Sequence, residues 1–161
     1  MFENDLGFSN FTPRELVNFF QDDPADYISR NVVPMEPQNL WYGTLTSRGF
    51  EGTEHKSFYP LTRVTRAASD AAVALRRRTQ FATSDLMTPN DEIVMASAAV
   101  EAGLSVRSLE SGLPMELGRF TARRPLPFPY LRLRHRGPQI FHPVGPLNWH
   151  PRRSVKAITD G

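Results

Sequence analysis

Glu3 and Asp5 stand on either side of Asn4 in the opening stretch MFENDLGFS. On a strand, side chains two residues apart share a face, so the pair would offer several hard oxygen donors on one side. Such a set suits Mg²⁺ or Mn²⁺ bridging a diphosphate, and the Leu-Gly-Phe-Ser that follows reads as a turn leaving a strand's C-terminal edge, where α/β sheets place ligands. A solvated acidic terminus has the same spacing, so both readings stand.

A second carboxylate pair lies in Asn90-Asp91-Glu92. Carboxylates in a first helical turn complement the macrodipole and need no other reason to be there. At a cleft rim, Asp91 or Glu92 could instead act as a general base on an acceptor hydroxyl, and spacing does not choose between them. Among four histidines, His142 stands out in QIFHPVG, between an apolar pair and Pro143. Its imidazole could complete a metal site begun by carboxylates, or it could be an ordinary surface or core histidine. Trp41, Tyr42, Phe50, Phe58 and Tyr59 cluster with Arg48, Glu54 and His55. Aromatic faces beside polar groups suit sugar rings, whereas packing accounts for most aromatics. The chain has no H-E-x-x-H, G-x-S-x-G, P-loop or G-x-G-x-x-G motif, so zinc-protease, serine-hydrolase, Walker and Rossmann-nucleotide chemistry lack support.

These residues need elements to hold them. Thr12-Pro13-Arg14-Glu15 is a capping box with Pro at N1, predicting a helix from Pro13 to about Gln21 with Leu16, Phe19 and Phe20 on one face. A short strand is predicted near Tyr27 to Asn31, then a long loop rich in Pro and Gly through Lys56, then a strand near Phe58 to Val64. Thr65 should cap an Ala-rich helix that ends in Arg76-Arg77-Arg78. For the last helix, Thr88 reads as N-cap, Pro89 as N1, Ile93, Ala96 and Val100 as the inner stripe and Gly103 as the stop, with a strand from Leu104 to Leu109 beyond it. The sum is an α/β layer structure of roughly three helices and three or four strands. Past Glu110 the periodicity fades, and the Pro- and Arg-rich stretch predicts an irregular arm with one short strand around Tyr130 to Arg134.

Composition sets the limits. A chain of 161 residues with 40% apolar content has the size and core of one domain. Cys is absent, which removes disulfides and thiolate metal sites. No run of about 18 apolar residues occurs and the start lacks a basic and an apolar signal region, so the expectation is a cytoplasmic protein without a spanning helix. Charge is uneven: residues 1–60 carry nine acidic and four basic side chains, whereas 119–161 carry nine basic ones and a single acid. The basic end is either a solvated surface or an attractor for a phosphate-bearing partner, be it a nucleotide-sugar, nucleic acid or an anionic membrane surface met peripherally.

Taken in order, ENDLGFS, the capped helix with FF, LWYGTLTSRGF, SFYPLTRVTRAA, NDEIVMASAAVEAGLSVRSL and FHPV resemble the second half of a bacterial GT-A-type glycosyltransferase, over Phe2 to Val144. The resemblance implies a partial GT-A-like (Rossmann-like) sheet with flanking helices over residues 1–118 and an arm, 119–161, packed on the same domain. It implies a transferase moving sugar from a nucleotide-sugar donor to a glycan or surface-polysaccharide acceptor. Glu3, Asp5 and His142 would hold a divalent metal, Mn²⁺ or Mg²⁺. Asp91 or Glu92 would activate the acceptor, which presumes inversion, with Trp41, Tyr42, Arg48 and Asn90 lining the substrate. Gly145 stands where relatives often carry Lys, which removes a basic phosphate contact. The family's nucleotide-gripping βαβα units precede the acidic motif, and only Met1 and Phe2 do so here. The resemblance therefore implies a fragment, weak or inactive alone. A rival expectation is a non-enzymatic binder of nucleic acid or anionic surfaces through the Arg-rich arm. A third is an assembly fragment that pairs with another chain across an exposed sheet edge.

Overall fold

A computed structural model describes residues 7–10, 12–79, 88–111, 113, 116–120, 126–127, 131, 137–142 and 144–145. The described residues form a mixed α/β structure with three α-helices, two three-stranded sheets and a two-stranded ladder. The chain divides into two compact units, one of residues 1–2 and 19–113, the other of 3–18 and 114–161.

In the first unit, β2 (Tyr27–Pro34) is the middle strand, antiparallel to β3 (His55–Val64) and parallel to β4 (Val106–Ser108). The two pairings share one anchor, since Tyr27 faces both Val64 and Val106. β2 extends beyond its predicted end at Asn31, which adopts φ +54° where the β2–β3 register shifts, so a bulge lengthens the strand. Helices α2 (Arg66–Thr79) and α3 (Asp91–Glu101) pack together and against this sheet. Ala68, Ala96 and Ala99 gather around the buried Tyr27, and small residues let the helix backbones approach the strand closely. A second cluster joins Ala72 and Leu75 of α2, Ile93, Val94 and Ala98 of α3, and Met35, Leu45 and Phe50 from the connection between β2 and β3.

The helix ends follow local chemistry, with one correction. α1 (Pro13–Gln21) has the predicted bounds, and its capping box is made: Thr12 N donates to Glu15 Oε2 at 2.6 Å and Glu15 N donates to Thr12 Oγ1 at 3.3 Å. Thr65 Oγ1 accepts from Ala68 N at 3.3 Å, the expected cap of α2. α3, however, is capped by Asn90 rather than Thr88: the Asn90 side chain accepts from Ile93 N at 3.1 Å. Asn is at least as good a cap as Thr, and Pro89 then precedes the cap instead of entering the helix. Ala102 is the C-cap, followed by Gly103 at φ +66°, a conformation that glycine adopts without strain. The stripe is also broader than predicted, because Val94, Ser97, Ala98 and Ala99 are buried along with Ile93 and Ala96, while Val100 is exposed. A helix covered on several faces has no single apolar stripe.

In the second unit, β7 (Gln139–His142) lies between β1 (Gly7–Ser9), a strand where the sequence predicts a turn, antiparallel to it, and β5 (Glu116–Phe120), parallel to it. β6 (Leu126–Pro127) pairs with β8 (Val144–Gly145). The expectation of an irregular arm with one strand is thus corrected: short strands recur along it. They escape periodicity analysis because pieces of two to five residues are too short to show a period. The strand predicted around Tyr130 to Arg134 falls outside the described residues, apart from Leu131, which is buried.

Candidate functional site

The connection from β2 to β3 is built around one buried acid. Glu54 is 4% exposed, and its Oε1 accepts from Leu45 N at 2.8 Å and Thr46 N at 2.7 Å while Oε2 accepts from Gly43 N at 2.8 Å. Three charge-assisted hydrogen bonds compensate a carboxylate that burial would otherwise penalise, and among the described residues it forms no ion pair. Gly43, at φ +80°, lets the chain curl round the carboxylate. Upstream, Asn39 Oδ1 accepts from Trp41 N, and Trp41 O accepts from Thr44 Oγ1 at 2.7 Å. Trp41 is half-buried against the core, whereas its neighbours Leu40 and Tyr42 are 74% and 50% exposed. A short 3-10 helix (Thr46–Arg48) closes the segment, and the buried Arg48 donates from Nη1 to the carbonyl of Thr79, the last residue of α2, at 3.3 Å. A cation at a helix C-terminus is favourable there.

The start of α3 is tied to both of its neighbours. Arg76 of α2 forms an ion pair with the Asp91 carboxylate and donates to the carbonyl of Pro89 at 2.6 Å. Asp91 and Arg76 border a shallow cleft of about 220 Å³ with Val64, Ser69, Val73 and Met95. The Glu92 carbonyl accepts from Ser57 Oγ at 3.2 Å, and that hydroxyl also bonds the Tyr27 hydroxyl at 2.8 Å, so β2, β3 and α3 meet in one polar chain. Asp91 and Glu92 therefore lie in the first turn of α3, as the sequence predicts, with Asn90 in place of Thr88 as its cap, and Asp91 faces α2. Trp41 packs on the cluster that contains Ile93 and Val94, so the aromatic segment and the α3 turn share one core.

His142 ends β7 and is 7% exposed. Along the β1–β7 ladder, Gly7 faces Phe141, Phe8 faces Ile140 and Ser9 faces Gln139. The beginning of β1, which Glu3 and Asp5 precede in the sequence, is therefore the end that lies towards His142. Glu3 and Asp5 themselves lie outside the described residues. Among the described residues no three His, Asp or Glu side chains gather as a metal site.

Two acids organise the first unit: Glu54, read from the sequence only as a polar group beside the aromatic cluster, and Asp26 at the head of β2, which the sequence does not single out. Asp26 Oδ2 accepts from Ser105 Oγ at 2.8 Å and from Ser105 N at 3.1 Å, and Oδ1 accepts from Thr65 Oγ1 at 3.1 Å. The Ser105 hydroxyl above all, then the Ser105 amide and the Thr65 hydroxyl, hold its carboxyl below the usual aspartate range. The Asp-Pro-Ala-Asp and Gly-Thr-Glu contexts of these acids are ordinary loop signals; only their distant partners mark them.

Comparison with protein-family models, with curated proteins and with solved structures finds no match for this chain. No helix among the described residues is long and apolar enough to cross a membrane.

Proposed function

We propose that this chain carries the metal and acceptor sides of a nucleotide-sugar-dependent glycosyltransferase of GT-A type, acting on a glycan acceptor. The observation that supports it is the β1–β7 register, which brings the strand after the Glu3–Asp5 motif alongside the strand that ends in His142, more than 130 residues away in sequence. The donor set fits the implied ion: two carboxylates and one imidazole suit Mn²⁺, and Mg²⁺ through the oxygens. When bound, such an ion neutralises charge on a departing diphosphate. His142 is enclosed at the end of a buried strand. In this reading Asp91 or Glu92 accepts the acceptor hydroxyl's proton, and the ion pair of Asp91 with Arg76 fixes the turn that carries both. Asn90 holds the same turn as its cap.

Manganese titration of the full chain, followed by electron paramagnetic resonance with and without a nucleoside diphosphate, tests the proposal. One Mn²⁺ should bind, more tightly with the nucleotide present, and Asp5→Asn or Glu3→Gln should weaken it. Equal Mn²⁺ binding in wild type and the Glu3→Gln/Asp5→Asn double variant would sink it. So would a chain that ignores the metal and instead binds mixed-sequence oligonucleotides with a steep salt dependence, the behaviour of an Arg-rich nucleic-acid binder.

A further inference from the structure

We infer that the cleft between α2 and α3 is a binding site for a small uncharged aromatic compound that carries a hydroxyl at each end. The inference goes beyond the transferase proposal and does not rest on it.

The two helices meet the cleft with matching rows. Ser69, Ala72, Val73 and Arg76 recur at i, i+3, i+4 and i+7 along α2, and Asp91, Val94 and Met95 at i, i+3 and i+4 along α3. Ala72 and Val94 belong to the buried core and make the floor, while Val73 stands 48% exposed on the wall. The polar groups come at the two ends. Ser69 and the Arg76–Asp91 pair are separated by two turns of α2, about 10 Å at the helical rise, and the trough between them is apolar.

Size and lining select the occupant. The cleft of about 220 Å³ exceeds the ~150 Å³ of a cavity that holds benzene, so one ring with a short chain fills it. Met95 adds a thioether, whose contact with an aromatic ring is favourable. Arg76 is committed to Asp91 Oδ1 and to the Pro89 carbonyl, and its charge cancels that of Asp91. Asp91 Oδ2 accepts no hydrogen bond among the described residues, and the Ser69 hydroxyl makes none. One end of the trough therefore accepts a hydroxyl proton, and the other can donate or accept. An ammonium group at the first end would meet Arg76 and a carboxylate would meet Asp91, so a ligand charge of either sign is disfavoured.

The test is a proton–nitrogen NMR titration of the full chain with tyrosol, a phenol that carries a two-carbon alcohol. Saturable shifts should appear at Ser69, Val73, Val94 and Met95, with a dissociation constant on the order of 1 mM. Tyramine and para-hydroxyphenylacetate, which put a charge on the same frame, should bind more weakly. Ser69→Ala should weaken tyrosol binding about fivefold, the scale of one hydrogen bond. Val73→Asp, a charge at an exposed wall position, should abolish the shifts with the melting temperature unchanged. Should Val73→Asp melt early, Ser69→Ala still decides, because alanine favours the helix. Absent shifts, shifts scattered over the surface, a charged analogue that binds as tightly as tyrosol, or full affinity in Ser69→Ala or in folded Val73→Asp would each overturn the inference.

Discussion

Asp26 shows how one side chain couples three elements. It immediately precedes β2, its carboxylate holds Thr65 at the cap of α2, and it holds Ser105 at the entry to β4. The Ser105 hydroxyl and amide and the Thr65 hydroxyl favour the charged form and lower its folded pKa. A carboxyl depressed on folding contributes stability that is full above its unfolded value and is lost as pH falls through the folded value. Glu15 behaves alike, lowered by the Thr12 amide first and then by the Thr12 hydroxyl. Both groups are open to solvent, so the expectation concerns shape and sign: Asp26→Asn should flatten the acid limb of stability against pH, below about pH 4. Urea unfolding at a series of pH values checks this. A variant whose acid limb keeps the wild-type slope would show that the Ser105 and Thr65 contacts do not matter in solution. Asp26 could not be singled out from sequence, because its partners lie 39 and 79 residues away.

Among the elements, α1 and α3 behave differently under the same rules. For α1, the box Thr12-Pro13-Arg14-Glu15 contains all its own partners, and the helix has the bounds read from the sequence. For α3, Thr88 and Asn90 are both good caps, and Arg76 of α2 holds the Pro89 carbonyl and the Asp91 carboxylate on either side of Asn90. That tertiary contact favours a start at Asp91. Asn90→Ala should therefore destabilise the chain by about 1 kcal/mol, the usual value of an N-cap, whereas Thr88→Ala should change it by only about 0.5 kcal/mol or less. Chemical denaturation of the two variants decides. Equal losses, or a larger one for Thr88→Ala, would return the cap to Thr88.

At the scale of the whole molecule, the two three-stranded sheets have the same logic: β2 and β7 are the middle strands, bonded on both sides, and among the described residues their neighbours are edges. Within each unit the middle strand should keep its amide protons longest, so native-state exchange should rank β2 above β4, and β7 above β1. An edge strand that outlasts its middle strand would contradict the pairing. The sequence by itself determined what depends on neighbours three or four residues away: the mixed α/β character, α1, the cap of α2, and the glycine that follows α3. It also held the candidate chemistry of Asn90, Asp91, Glu92 and His142 as residue types. Only the tertiary structure decided that Glu54 is a buried clamp, that Trp41 is half-buried while Tyr42 is exposed, that Arg76 engages Asp91, and that β1 lies beside β7. The reason is one of range. Helix periods and caps are written within a single turn of chain, whereas the burial of a charge and the partner of a short strand depend on segments that only folding brings together.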